Sequence, residues 1–440
     1  MGKARPAGNP WTHVKTLVHL IRDTAGTSRA TTHKPLLRQR LMPHERLHCP
    51  CGRLRQNLGN TMKRRALISG LLATGVAGAA GLLSVKYFRG FSSAGQFKGP
   101  VIGDGVTGPR GMVWVPGGAF LMGSSSKRAL PSEGPAHRVQ VSGFWMDRFD
   151  VTNADFRRFT EATRYVTTAE QKPRWEDISL QLPPGTPEPD PEALVPGSLL
   201  FVGTSEPVEL GDWSRWWRYV PGANWRHPLG PQSNLADKEN HPVVQVSYVD
   251  ALNYARWAGK RLPTEAQWEF AARGGLEQAD YAWGDEFTPN GKKMANTWDD
   301  RARQFPVVSR NEKIQVGTLP VGNFAPNGYG IYDMAGNVWQ WTADWYRSDA
   351  FAIEARNGQV SDPQGPVDSY DPDDAGAPVD APKRVIRGGS FLCSETYCTS
   401  YRVSARRGSD PFSAMSHLGF RTIMTQQDWL AWKSRIRDAT

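Results

Sequence analysis

Interruption is the strongest constraint on this chain. Its 440 residues include 44 glycines and 33 prolines, well above the roughly 12% that the two types together make up in an average protein. Breaks this frequent rule out the long periodic runs of a helical bundle, a coiled coil or a regular dinucleotide-binding sheet. Short elements joined by many turns are what remains. The 17 Trp, 17 Phe and 12 Tyr supply ample apolar mass for a core, which excludes disorder throughout.

Charge divides the chain. Residues 1–100 carry 17 Lys and Arg against 2 Asp and Glu, and residues 101–440 carry 36 against 41. The basic pI thus belongs to the leader, and the mildly acidic remainder is expected to bind no nucleic acid. Residues 1–61 read as a disordered basic leader upstream of a biological start at Met62. Lys63, Arg64 and Arg65 then precede an uncharged run from Ala66 to Val85, so 62–94 reads as a signal sequence or membrane anchor with a degenerate twin-arginine signature. The run is long enough to cross a bilayer, but Gly70, Gly75, Gly78 and Gly81 dilute it. A cleaved product and a retained anchor both stay open. The expected location is exported, periplasmic or membrane-anchored, and cytoplasmic only if the leader does not function.

Residues 109–425 read as the working domain. Two short strands flank a Pro116-Gly117-Gly118 turn, and capping-box spacing marks helix starts at Thr152 with Asp155, Ser247 with Asp250, and Thr264 with Gln267. The stretch 175–240 is expected to be a packed long loop and 361–382 a mobile insertion. Short strands resume at 384–391 and 419–423, and a helical tail outside the core occupies 426–440.

Four cysteines occur, and Cys49 and Cys51 lie in the leader. Cys393 and Cys398 follow a Gly388-Gly389-Ser390 bend where backbone can approach closely. A lone disulfide is one reading, although a loop this small gains little from closure. The other is reactivity: two thiolates with nothing else soft nearby suit Cu(I), whereas zinc usually takes four ligands. His137, His227, His241 and His417 are scattered singly, which argues against a non-haem iron site. Phosphate-binding, dinucleotide-binding and nucleophile-elbow motifs are absent.

These residues fall in a recognisable order: Met112-Val-Trp-Val-Pro-Gly-Gly-Ala-Phe-Leu-Met-Gly123, then Gly222-Ala-Asn-Trp-Arg-His-Pro228, His241-Pro-Val-Val-Gln-Val-Ser247, the Trp257 to Glu269 and Pro326 to Trp341 modules, Arg387-Gly-Gly-Ser390, and Leu418-Gly-Phe-Arg421. The domain resembles the formylglycine-generating enzyme family, the sulfatase-modifying factors, with the pair Cys393 and Cys398 as the discriminating feature. The resemblance implies an α+β fold with little regular secondary structure, related to C-type lectin-like folds. It implies a monomer that oxidises the cysteine of a sulfatase polypeptide's Cys-x-Pro-x-Arg segment to Cα-formylglycine, using O₂ and copper held by Cys393 and Cys398. By the same likeness Ser390 lies near an oxygen pocket, and Trp339, Tyr397, Arg406 and His417 contact substrate. Calcium is implied at Asp333, Gly336, Val338 and Gln340, with Gln340 standing where the family usually has Glu. A second calcium loop would use Asn296 and the Thr297 carbonyl, but the stretch from Asp299 to Lys313 departs from the family pattern, and calcium is not expected there. A noncatalytic exported binding module, or an oxidase of another maturation substrate, are the alternatives.

Overall fold

Three helices begin where their capping residues direct. The computed structural model describes residues 99–308 and 316–439, so the leader, the 62–94 segment and Lys313 lie outside the described residues. Thr152, Ser247 and Thr264 each accept a bond from the backbone three residues on, and the side chains of Asp155, Asp250 and Gln267 return it. Those reciprocal bonds satisfy amides that a helix start would leave orphaned.

In chain order the strands are β1 (Met112–Val115), β2 (Gly118–Met122), β3 (His137–Val141), β4 (Phe144–Asp147), β5 (Gly197–Phe201), β6 (Trp217–Pro221), β7 (Trp339–Trp345), β8 (Val360–Ser361), β9 (Arg384–Arg387), β10 (Arg406–Ser409), β11 (Leu418–Gly419) and β12 (Ile423–Thr425). The α-helices are α1 (Asn153–Thr163), α2 (Trp175–Ser179), α3 (Tyr248–Trp257), α4 (Glu265–Arg273), α5 (Ala350–Arg356) and α6 (Gln426–Ala439). No strand among the described residues exceeds the seven residues of β7, as the density of Gly and Pro requires. The result is an α+β fold of small sheets, ordered β10-β9-β7-β11, β1-β4-β12 and β2-β3-β8, with a β5-β6 hairpin. The strands on either side of Pro116 do not pair with each other. β1 joins β4 and β2 joins β3.

Three expectations are corrected. The 175–240 stretch is not simply a loop: it contains α2 and the five-residue ladder of β5 with β6. Its tryptophans explain why, since Trp216 and Trp217 bury themselves in an aromatic cluster with Trp298 and Phe305. The 361–382 segment is pinned rather than mobile, because the buried Lys383 ammonium bonds Asp371 and Asp374 from below. The C-terminal helix forms as expected but docks, with Trp429 buried against Met112, Trp145 and Met424. Among the described residues, no helix is long and apolar enough to cross a membrane.

Candidate active site

The two cysteines are brought together by a double glycine bend. After β9 the chain passes through Gly388 and Gly389 at φ of 89° and 69°. A Cβ on Gly389 would stand 2.9 Å from the backbone of Ser400 and Tyr401, so only glycine lets these segments touch. Beyond the bend, Cys393 N donates to Ser390 O at 3.0 Å and Leu392 N to Ser390 Oγ at 3.2 Å. The turn closes when Cys398 N donates to Ser394 O at 3.1 Å. This leaves the sulfurs of Cys393 and Cys398 as free thiols 2.7 Å apart.

Both thiols are buried, but unequally: Cys393 is 1% exposed and Cys398 8%. Burial pushes the Cys393 thiol well up, and its contact with Cys398 adds to the rise. The same contact draws Cys398 down against its own burial, helped by the Arg407 guanidinium and by Ser400. The pair therefore favours one shared proton, with thiolate character on the more accessible sulfur.

The surroundings are apolar on two sides. Cys393 and Cys398 belong to a buried cluster with Trp339, Trp341, Tyr401, Met415 and Leu418, while Phe391 and Leu392 enter the aromatic cluster of Trp216, Trp298 and Phe305. Tyr397 lies against both. Its ring stacks on Phe305 at 4.6 Å and meets Trp216 edge-on at 5.7 Å. Its hydroxyl is buried with no hydrogen-bond partner among the described residues, a costly state unless a ligand supplies one. Ser390 is fully buried, and since its oxygen accepts from Leu392, the hydroxyl proton is left to donate. The His417 ring packs 4.8 Å from Trp217. Burial lowers its pKa to about 3, so the imidazole is neutral. Two clefts open beside β5. One, about 260 Å³, is lined in part by Arg174, Asp177, Leu199 and Asp410. The other, about 80 Å³, includes Phe391 and Ser416, the neighbours of Ser390 and His417.

Other expected residues are placed differently. Arg406 cannot touch a substrate: it is fully buried and bonds Glu265 at two points. Neighbouring residues on a strand face opposite sides, and it is the next residue, Arg407, that stays partly exposed and faces the dithiol, 3.4 Å from Ser400 Oγ. Strand alternation could have found Arg407. Trp339, 1% exposed, is packed into the same buried cluster as the two cysteines.

The calcium donors do not fit. Gln340 Oε1 already accepts from Trp268 Nε1 at 2.7 Å and Arg421 Nε at 2.8 Å, and its amide donates to Asp333 O at 2.9 Å. The buried Arg421 guanidinium is the cation of this loop, reaching Asp150 Oδ1 and the Tyr332 carbonyl as well. Asp333 is left accepting from Gly322 N at 2.7 Å. Gly336 N is bonded to Gly388 O, and Val338 is wholly buried at the entry to β7. At the second loop, Lys293 Nζ sits 3.1 Å from Thr297 O, and Asn296 Nδ2 donates to Gly317 O and Asn337 Oδ1. Calcium requires a shell of six or more oxygens. Among the described residues no group of three His, Cys, Asp or Glu side chains gathers to hold a metal. Two soft sulfurs side by side, by contrast, fit a monovalent copper ion that tolerates few ligands.

The family model described as "Sulfatase-modifying factor enzyme 1-like domain" matches residues 102–426. A formylglycine-generating enzyme of Thermomonospora curvata is 46% identical over 315 residues, covering 71% of this chain and 92% of the relative. One of Mycobacterium tuberculosis is 45% identical over 313 residues, covering 71% and 97%. Among solved structures, PvdO from Pseudomonas aeruginosa aligns with a TM-score of 0.43 and 24% identity, over 71% of this chain and 94% of that one.

Proposed function

Because the chain belongs to the sulfatase-modifying factor family, we propose that it converts the cysteine of a sulfatase Cys-x-Pro-x-Arg segment to Cα-formylglycine, as a copper- and O₂-dependent oxidase. The observation that carries the reading is the pair of free thiols 2.7 Å apart in a buried, aromatic surround. Cys393 and Cys398 would hold the copper, which supplies one-electron chemistry between a bound thiol and dioxygen.

The chain's own residues do the rest. Cys398, the more accessible sulfur and the one drawn towards thiolate, faces the incoming substrate. Tyr397 offers to the peptide its hydroxyl, unpartnered among the described residues, and Ser390 offers a proton donor beside Cys393. The clusters around Trp339 and Trp216 exclude water from the sulfurs. Neutral His417 can donate or accept a hydrogen bond but brings no charge. The substrate Cβ and Sγ each give up one hydrogen, two electrons and two protons in all. Dioxygen takes these up and leaves as hydrogen peroxide, or as water where an external thiol supplies two further electrons and two protons. Hydrolysis of the resulting thioaldehyde releases hydrogen sulfide and leaves the aldehyde.

The reading includes a sulfatase polypeptide as the partner, a monomeric enzyme and export, the last supported by the Arg64-Arg65 and Ala66 to Val85 sequence. The test is incubation of the protein with Cu(I), air and a Cys-x-Pro-x-Arg peptide, followed by mass spectrometry. Aldehyde is expected, together with one copper per chain that is lost in Cys393→Ala and Cys398→Ala. Protein that takes up no Cu(I), has its thiols locked as a disulfide and leaves the peptide unchanged would instead identify a noncatalytic module.

A further inference from the structure

We propose that Asp300 is a positioning residue for the dithiol, and that the segment 298–305 acts as its brace. This rests on the reading of Cys393 and Cys398 as the working pair. The segment belongs to the stretch that departs from the family pattern, and the structure assigns it work other than metal binding.

Only Ser394, Glu395, Thr396 and Tyr397 separate the two cysteines. Bonds inside this turn, from Tyr397 N to Ser394 Oγ at 3.0 Å and from Cys398 N to Ser394 O at 3.1 Å, give it a shape. They do not fix where it sits. Three contacts from 298–305 do. Trp298 N donates to Cys393 O at 3.0 Å, and Phe305 stacks on Tyr397. Between them the Asp300 carboxylate accepts from Glu395 N at 2.9 Å, Thr396 N at 3.4 Å and Thr396 Oγ1 at 2.9 Å. Among the described residues Asp300 is the only side chain outside the turn that hydrogen-bonds residues 394–397.

A brace must itself be held. Trp298 Nε1 donates to Arg303 O at 3.0 Å. Thr204 N donates to Pro306 O at 3.1 Å, and Val308 N to Thr204 O at 2.8 Å. The segment is thereby tied to the chain leaving β5. Bonds to an ionised acceptor are stronger than neutral ones, so the carboxylate is the group that sets the position of the turn, and through it the span between the sulfurs.

The test uses the full chain with Asp300→Ala and Asp300→Asn, read by two equilibria and a melt. In the first, oxidised glutathione is reduced to two glutathione thiols as Cys393 and Cys398 join. The second is competition for Cu(I) against a chelator. Loss of the charged acceptor is expected to lower the disulfide-closing constant and the Cu(I) affinity about tenfold each in Asp300→Ala. Asp300→Asn, which keeps one oxygen acceptor, should fall between that variant and the unmodified chain, while the melting temperature moves by only a few degrees. Asp300→Ala that closes the disulfide and binds Cu(I) like the unmodified chain overturns the proposal. If the unmodified chain binds no Cu(I) yet its disulfide equilibrium depends on Asp300, the copper reading fails and the positioning role stands.

Discussion

Arg406 and Glu265 form a two-point ion pair sealed inside the protein, with Arg406 Nε and Nη2 at 2.6 and 2.7 Å from the two carboxylate oxygens. Arg387, directly across the β9–β10 ladder, bonds the same carboxylate at 2.9 Å and reaches Glu269 with its other nitrogen. Two guanidinium groups thus depend on Glu265 for neutralisation where water cannot help.

Breaking such a pair from one side leaves an uncompensated buried charge, which costs about 3–5 kcal/mol. Glu265→Gln and Arg406→Ala are both expected to lose stability of that order in urea denaturation, with the KM for substrate peptide unchanged per folded molecule. An Arg406→Ala protein of normal stability and raised KM would instead put this arginine in contact with substrate.

Lys383 plays the same role for the Asp-rich segment. Its ammonium lies 2.6 Å from Asp371 Oδ2 and 2.5 Å from Asp374 Oδ2, with all three side chains buried. Lys383→Met should therefore cost about 3–5 kcal/mol, since two carboxylates lose their counter-ion. It should also open 361–382 to limited proteolysis while the rest of the chain resists. Unchanged protease resistance would mean that the segment is held by something other than this triad.

Asp344 gives the protein a pH dependence opposite to that of most carboxylates. Burial, reinforced by the nearby Glu265 charge, raises its pKa from 3.8 to about 8. A carboxyl that is harder to ionise when folded contributes stability in its protonated form, and that contribution is lost as pH rises from the unfolded value through the folded one. Asp344→Asn keeps an oxygen to accept from Glu265 N, the bond now made at 2.6 Å. The variant should match the parent at about pH 4 and exceed it in stability at about pH 8. Urea midpoints at the two pH values read this directly, and a variant less stable at the higher pH would contradict it.

Local signals were legible in the sequence where chemistry and spacing coincide. Thr152, Ser247 and Thr264 announce their helices because the capping bond spans three residues. Cys393 and Cys398 stand out because a small turn between two thiols has few structural uses. What stayed hidden depends on distance along the chain or on side-chain facing. Asp300 meets the cysteine turn from 95 residues away, and no local pattern records such a contact. Arg406 and Arg407 differ by one position, yet strand alternation puts one in the core and the other beside the thiols. The acidic run 361–382 looks unconstrained until Lys383, just beyond it, is seen beneath it.

Calcium tests the assignment of Arg421 and Lys293 as resident cations. The oxygen of Gln340 is occupied by two N–H donors, and the Thr297 carbonyl by an ammonium. A ligand that binds only the folded state raises the melting temperature as its concentration increases. Protein treated with EDTA and protein given excess calcium should therefore melt together, and metal analysis of the purified chain should find no stoichiometric calcium. Lys293→Ala frees the Thr297 carbonyl, but with Asn296 committed to Gly317 and Asn337 too few oxygens remain for a hard ion, so that variant should stay calcium-insensitive too. A calcium-dependent rise in the melting temperature of the unmodified protein would mean that Gln340 or Lys293 swings aside to admit the ion, and that these side chains guard the loops rather than close them.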